Sequence, residues 1–352
     1  SAGGSLNIRP TSWTNAAGAQ INISAGGTLF LSGAYANAGV ISATSSTVNL
    51  DGTFKRSQLG SFNRTGGTVN LTGTVDNTGN TLRLDATSGS WNLAGGTIMG
   101  GTVLASEGSK LVASTLFLGG TLNGVTLKGD PAQTQPVVLD LSSFDSTVGV
   151  TGNLALDNAT VSIQGGAEMH FNSAAATLTG NGVVLFVNDL EGNSLREAAP
   201  GGQLTIGPGI TVKGAGGTIG YSFLWGGPAN VSVVNQGTVG PDRPGTIYLR
   251  GASTTNQGTF QASGGGNLNV QPTTLTNFGN GTLTGGTWKA FGKSTLRLAL
   301  NAPITSNAAS IVLDGSDPNF YSDAGTTNVL ASLATNAAAG SLTLQNGFSF
   351  TT

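Results

Sequence analysis

The acidic residues are the first candidates for chemistry in this sequence. Two pairs lie close together along the chain: Asp140 with Asp145, and Asp314 with Asp317. Hydrolysis of a glycosidic bond needs two carboxyl groups that face each other across a cleft, about 5–9.5 Å apart. Because the chain holds 16 acidic residues, chance places some of them near one another. We therefore interpret both pairs as coincidental.

The single histidine is the second candidate, because histidine titrates near neutral pH. It follows Glu168 by two positions, and side chains at that spacing share one face of a strand, so Glu168 and His170 can interact. No Gly-x-Ser-x-Gly motif accompanies them, and the chain has no cysteine to act as a nucleophile. We interpret His170 as an isolated surface or corner residue and predict no catalytic residue.

Residues 314–319 are the candidate for a metal site. Asp314, Asp317 and Asn319 offer the oxygen ligands that Ca²⁺ prefers. The segment lacks the length and the terminal glutamate of a helix–loop–helix calcium loop. We expect an ordinary turn in which an Asx side chain bonds the backbone, and we predict neither a metal site nor a cofactor.

Aromatic residues could bind sugar rings by stacking, if they were exposed in a row. Their spacing along the sequence is irregular, which favours packing in the core or at corners. The residues concerned are Trp13, Trp91, Trp225, Trp288, Tyr221 and Tyr248.

The elements that position these side chains repeat along the chain. Asn235, Asn256 and Asn277 are evenly spaced, and each begins a similar tetrapeptide. The apolar pair Ile247/Leu249 recurs after the same interval as Leu268/Val270. Two independent landmarks that share one period, of about 21 residues, indicate a structural repeat.

Within each repeat, apolar and polar residues alternate, as in Thr68-Val69-Asn70-Leu71-Thr72. This period of two indicates half-buried strands, here about 3–6 residues long because glycine and asparagine interrupt them. Gly-Gly-Thr sequences predict turns that lead into strands; they begin at Gly26, Gly66, Gly95, Gly100, Gly119, Gly216 and Gly285.

Composition limits the class of protein. Charged residues are 9% of the chain, the formal net charge is −2, and 38% of residues are hydrophobic. The 14 basic residues are scattered, so we expect no nucleic-acid partner. A helix needs about 20 consecutive apolar residues to cross a bilayer, and no apolar stretch in this sequence is nearly so long. We therefore expect no membrane span in this chain.

Stacking of the repeats would bury their apolar faces in one continuous core. We therefore predict an all-β fold, a parallel β-helix or β-solenoid of about 20-residue coils. Ladders of apolar residues would lie inside, with ladders of asparagine and threonine at corners. We expect one continuous solenoid over residues 1–352, with irregular or inserted stretches near 186–201 and 301–339. Strand-like segments at 3–8 and 341–350 predict open edges for self-association through coil ends.

The segment 202–220 and the Asn-Gln-Gly-Thr repeats at Asn235 and Asn256 together form a characteristic sequence pattern. It resembles the β-strand-repeat proteins of bacterial surfaces: autotransporter passenger domains, filamentous-haemagglutinin-like adhesins, and repeat proteins with a C-terminal sorting signal. The resemblance implies a right-handed parallel β-helix, secretion, and roles in adhesion, biofilm matrix or envelope layers. It implies no catalytic residues.

We therefore expect a non-catalytic, extracellular or cell-surface bacterial rod with a structural or adhesive role, which assembles end to end into a fibre or matrix component. A glycan or another cell-surface ligand is the expected second partner. The alternatives are a polysaccharide-active β-helix enzyme, lyase or hydrolase, and a glycan-binding adhesin that uses one lateral face. We expect a processed or excised segment, without its signal and anchoring segments.

Overall fold

The structure of the protein is a computed structural model that describes residues 3–113, 119–322, 325–349 and 351. Strands make up 59% of it, and stacked parallel strands form a β-solenoid, with about 14 turns spaced about 23 residues apart over the described residues. The predicted fold class is confirmed. The chain divides into two compact units, Ser1–Ser162 and Ile163–Thr352.

The first unit consists of short strands, most of them three to five residues long, and a 3-10 turn at Arg56–Leu59. The strands are β1 (Ser5–Ile8), β2 (Ser12–Asn15), β3 (Gln20–Ile23), β4 (Thr28–Leu31), β5 (Ala34–Asn37), β6 (Val40–Thr44), β7 (Thr47–Leu50), β8 (Thr53–Lys55), β9 (Ser61–Thr65), β10 (Thr68–Leu71), β11 (Thr74–Asp76), β12 (Thr81–Leu84), β13 (Trp91–Leu93), β14 (Thr97–Met99), β15 (Thr102–Ala105), β16 (Leu111–Ala113), β17 (Gly120–Asn123), β18 (Thr126–Gly129), β19 (Val137–Leu141), β20 (Thr147–Thr151) and β21 (Leu154–Ile163).

Strands from successive coils pair in parallel in this unit. One face is formed by β1, β4, β7, β10, β13, β16 and β19, each paired with the next. Alternate residues point inward and lie opposite one another, so that Leu29, Val48, Val69, Trp91 and Leu111 form a ladder with at most 1% exposure. The predicted apolar ladder is confirmed.

Polar ladders accompany the apolar one. On the outer side of the same face, the amide of Asn70 donates to the side-chain oxygen of Asn49 at 2.9 Å, and Asn92 donates to that of Asn70 at 3.0 Å. At a corner, the buried amide of Asn15 donates to the side-chain oxygen of Asn37 at 2.8 Å. Uncharged amides stack in this way because each provides both a donor and an acceptor.

The second unit contains longer strands. They are β22 (Glu168–Phe171), β23 (Ala175–Glu197), β24 (Gln203–Ile206), β25 (Ile210–Gly220), β26 (Ser232–Asn235), β27 (Thr238–Val239), β28 (Thr246–Asn256), β29 (Thr259–Ala262), β30 (Asn267–Leu275), β31 (Phe278–Gly279), β32 (Thr282–Phe291), β33 (Thr295–Leu298), β34 (Ser306–Asp314), β35 (Asn319–Ser322), β36 (Thr335–Asn336) and β37 (Ser341–Gln345).

The prediction that all strands are short is wrong for this unit, where β23 has 23 residues. Parallel pairing between β23 and β25 continues around a bend, with register shifts between Phe186 and Asp189 and between Asp189 and Ser194. Extra residues are absorbed as bulges, so the strand bends without ending. Most of the charge-rich stretch 186–201 belongs to this bent strand.

The predicted register is confirmed where β26, β28 and β30 pair, because Ser232 lies opposite Ser253 and Ile247 opposite Leu268. After these coils the spacing grows: Thr259 lies opposite Thr287, since an antiparallel hairpin of β31 and β32 is inserted. Insertions of this kind raise the mean coil length above the value expected from the sequence.

The Gly-Gly-Thr prediction holds at Gly26, Gly66, Gly95 and Gly100, each of which has positive φ and precedes a strand. It is wrong for Gly216, which lies inside β25, and for Gly285, which lies inside β32 at a register shift between Thr284 and Thr287.

The stretch 301–339 contains β34, β35 and β36, separated by turns. Its Asp323, and Phe350 of the predicted terminal strand, lie outside the described residues. Among the described residues, no helix has the length and hydropathy that a membrane crossing requires.

Candidate functional site

One outer face of the second unit concentrates aromatic and arginine side chains. In β28 the apolar residues Ile247 and Leu249 are fully buried, so the residues between and after them, Tyr248 and Arg250, point outward. The Arg250 guanidinium carbon lies 4.1 Å from the centre of the Tyr248 ring. Arg250 also forms an ion pair with Glu191 of β23.

A loop between β25 and β26 lies over this face. The Phe223 ring is 64% exposed, and its centre lies 4.6 Å from the Arg250 guanidinium carbon. Tyr221 packs edge-to-face against Phe223, with ring centres 5.2 Å apart. The Arg250 side chain is therefore held between two rings and remains only 12% exposed. Cation–π contacts and the ion pair fix its position.

The loop is anchored by a tryptophan. The indole N–H of Trp225 is 3.0 Å from the carbonyl of Gly166 and 2.9 Å from that of Gly192, and it donates to both. A bridge between Ser222 and Gly226 closes the turn. These contacts hold Phe223 above Arg250 although the ring itself is exposed.

A cleft of about 350 Å³ opens beside the loop. Aromatic rings, one guanidinium, one amide and one hydroxyl line it, contributed by Tyr221, Phe223, Arg250, Gln271 and Thr273. Gln271 lies opposite Arg250 on the neighbouring strand β30. The cleft thus combines apolar ring surface with hydrogen-bonding groups, as small-molecule sites do.

The same outer face continues over the following coils. Tyr248 lies opposite Asn269, Asn269 opposite Arg297, and Arg297 opposite Tyr321. The Arg297 guanidinium carbon is 5.5 Å from the centre of the Tyr321 ring, and Arg297 Nη1 donates to the carbonyls of Ser322 and Gly325. We call this surface the aromatic–arginine face; its members are Tyr221, Phe223, Tyr248, Arg250, Arg297 and Tyr321.

The chain matches no protein-family model, no curated protein and no solved structure. Statements about its function therefore rest on its own sequence and structure. The stacked parallel coils of a β-solenoid are observed. Membership of the bacterial surface repeat proteins stays a prediction.

The acidic candidates lie elsewhere. Asp140 is buried, with 6% of its surface exposed, and forms an ion pair with Lys110 of a neighbouring coil. Asp145 lies in the turn before β20 with positive φ. The ammonium group of Lys110 is therefore a structural partner for this buried carboxylate.

The interpretation of His170 as an isolated residue is wrong. Its Nδ1 lies 2.9 Å from Oε1 of Glu168, whose Oε2 accepts from the Arg196 Nε at 2.7 Å. Burial by itself would raise the pKa of Glu168, which is 3% exposed, but the contacts and charges of His170 and Arg196 outweigh it and hold the pKa below its ordinary value. The contact that a shared strand face permits between Glu168 and His170 is therefore present.

At the candidate metal segment, the carboxylate of Asp314 accepts from the amides of Gln345 at 2.7 Å and Asn346 at 2.6 Å. These hydrogen bonds lower the pKa of Asp314. Asp317 is exposed with positive φ, and its backbone carbonyl accepts from the Asn319 amide at 3.3 Å. The Asp314 carboxylate therefore links β34 to the end of β37.

The prediction that the aromatic residues pack in the core or at corners holds for some of them and is wrong for others. Trp91 and Trp288 are buried in the core, as predicted, but Tyr221 and Tyr248 lie together on the outer face. In the sequence, Tyr248 and Arg250 alternate with the apolar residues Ile247 and Leu249. This alternation could have predicted that Tyr248 and Arg250 point outward. Phe223 was missed, because nothing in the repeat pattern places a loop above β28.

Proposed function

We propose that this chain is a non-catalytic structural and adhesive element of a bacterial surface or extracellular matrix. The observation on which the proposal rests is the corner ladder of Asn235, Asn256 and Asn277, three buried amides joined from coil to coil. Such ladders resist separation of the coils without needing charge, which suits a scaffold exposed to variable salt.

The acidic residues support the non-catalytic part of the proposal. Of the five carboxylates that local sequence singled out, Asp140, Glu168 and Asp314 are each held by a structural partner. An assay for oligosaccharide release from a panel of polysaccharides tests it. Release that is lost in Asp140→Asn or Asp314→Asn would contradict the proposal and favour the enzyme alternative.

Self-association through coil ends is the second part of the proposal. Leu6 of β1 and Leu344 of β37 are each 40% exposed, whereas their partners Leu29 and Leu313 are at most 1% exposed. A coil of a second copy stacked on either strand would bury these side chains and pair the free strand edge. Electron microscopy should show filaments, and Leu6→Lys should shorten them; a monodisperse monomer at high concentration would contradict this part.

Surface location is tested on the cells that produce the chain. Immunogold labelling of intact cells should decorate their outer surface or the surrounding matrix. Label that appears only after permeabilisation would contradict an extracellular role. This test does not depend on which ligand the chain binds.

A further inference from the structure

We infer that the aromatic–arginine face binds an oligosaccharide built of pyranose rings. The inference rests on the proposed adhesive function for its biological meaning and adds the ligand class and the residues. The binding chemistry comes from the side chains of the second unit.

The first argument is chemical. A pyranose ring has an apolar C–H side and a rim of hydroxyl groups, so it is recognised by an aromatic ring beside polar donors and acceptors. Phe223 and Tyr221 provide the rings, while Gln271 and Thr273 supply an amide and a hydroxyl to the lining of the same cleft. A guanidinium has five N–H donors, so the Glu191 contact does not exhaust those of Arg250.

The second argument is preorganisation. An exposed phenylalanine on a free loop would lose much conformational freedom on binding, which weakens affinity. Phe223 stands on a loop anchored by the two hydrogen bonds of the Trp225 indole, and it packs on Arg250, which Tyr248 and Glu191 hold in place. The rings are therefore fixed before a ligand arrives.

The third argument is the length of the face. Tyr248 and Tyr321 belong to one column and are separated by three coil steps, through Asn269 and Arg297. At the usual strand spacing of about 4.8 Å, the column extends over about 14 Å. This exceeds the size of a single sugar ring, so the surface fits an oligosaccharide that runs along the stacking direction.

A glycan array of neutral and acidic oligosaccharides, probed with the purified chain, tests the inference. We expect binding to at least one pyranose oligosaccharide. Comparison of neutral with uronate-containing probes shows whether the arginines favour a negatively charged sugar. Titration calorimetry with the bound probe follows. Phe223→Ala and Tyr248→Ala should each weaken binding by about tenfold, since each removes one stacking or supporting ring.

The matched control is Phe144→Ala, which removes a ring that is 68% exposed in the first unit and should leave affinity unchanged. Tyr321→Ala tests the length: affinity for a hexasaccharide should fall, whereas affinity for the disaccharide of the same sugar should stay constant. Circular dichroism confirms that each variant remains folded.

No binding on the array would overturn the inference, as would equal affinities of the wild-type chain and the Phe223→Ala and Tyr248→Ala variants. Either result would leave the proposed structural role intact if labelling still places the chain on the cell surface. Conversely, sugar binding by a chain that labelling places inside the cell would contradict the proposed function while supporting the site.

Discussion

The side-chain amide of Asn235 donates to the side-chain oxygen of Asn256 at 2.9 Å, across two coils whose residues are 21 apart in sequence. Asn256 is 1% exposed, and its backbone N–H donates in turn to the side-chain oxygen of Asn277 at 2.6 Å. The period of the sequence thus has a direct physical cause. A shift of one residue would break each of these hydrogen bonds and turn the apolar side chains outward.

Asn256→Ala should destabilise the second unit. The change removes the acceptor for Asn235 and the amide that donates to the Thr287 carbonyl at 3.1 Å, and each buried polar group left unpaired costs about 1–3 kcal/mol. The urea midpoint should fall, and amide hydrogen exchange in β26 and β28 should accelerate. Asn181→Ala, at an exposed position, is the control; equal midpoints for the two variants would contradict the ladder's role.

Much of the fold follows from local sequence, whereas the candidate site does not. The ladder of Leu29, Val48 and Val69 could be predicted because two-residue alternation and the coil period both act over short distances. The position of Phe223 depends on Trp225, whose hydrogen bonds reach residues 59 and 33 positions away. No periodicity encodes such contacts. The register shifts of β23 likewise occur in its pairing with β25, between residues more than 20 positions apart in sequence.

Trp288→Ala should be among the most destabilising substitutions. The side chain is fully buried, its ring centre lies 5.5 Å from that of Phe260, and its indole donates to the Gly285 carbonyl at 3.0 Å. Removal of a buried tryptophan leaves a cavity that costs about 3–5 kcal/mol. Denaturant unfolding measures the loss. The exposed Phe144→Ala should change stability by less than about 0.5 kcal/mol; a similar effect from both would show that Trp288 lies outside a packed core.

Glu168 should make stability depend on pH in the acid range. Its pKa in the folded chain lies below the ordinary value of 4.5, because the contacts with His170 and Arg196 outweigh burial. A lowered pKa means that the carboxylate stabilises the fold above about pH 4.5 and that this contribution is lost as the pH falls through the folded pKa.

Glu168→Gln should therefore destabilise the chain at pH 7, by about 3 kcal/mol as for a broken buried ion pair, and have less effect at pH 3. Thermal unfolding of both proteins over pH 3–7 measures the difference. Asp317→Asn is the control for the loss of an exposed carboxylate. A Glu168→Gln effect that is constant with pH would contradict the assigned pKa direction.

Gly67→Ala tests how closely the coils approach at a turn. Gly67 has a φ of 74°, and a Cβ atom there would lie 2.0 Å from the Ser46 carbonyl oxygen of the preceding coil. Gly108 is the matched control, because its φ is 77° but a Cβ atom would meet nothing within 4 Å. Both substitutions place alanine in the left-handed region, which costs about 1–2 kcal/mol. Only Gly67→Ala adds a clash with backbone, so it should lower the urea midpoint clearly more than Gly108→Ala. If the two variants unfold at the same midpoint, the coils can separate locally at this turn, and the close stacking of backbone at Ser46 is not required for stability.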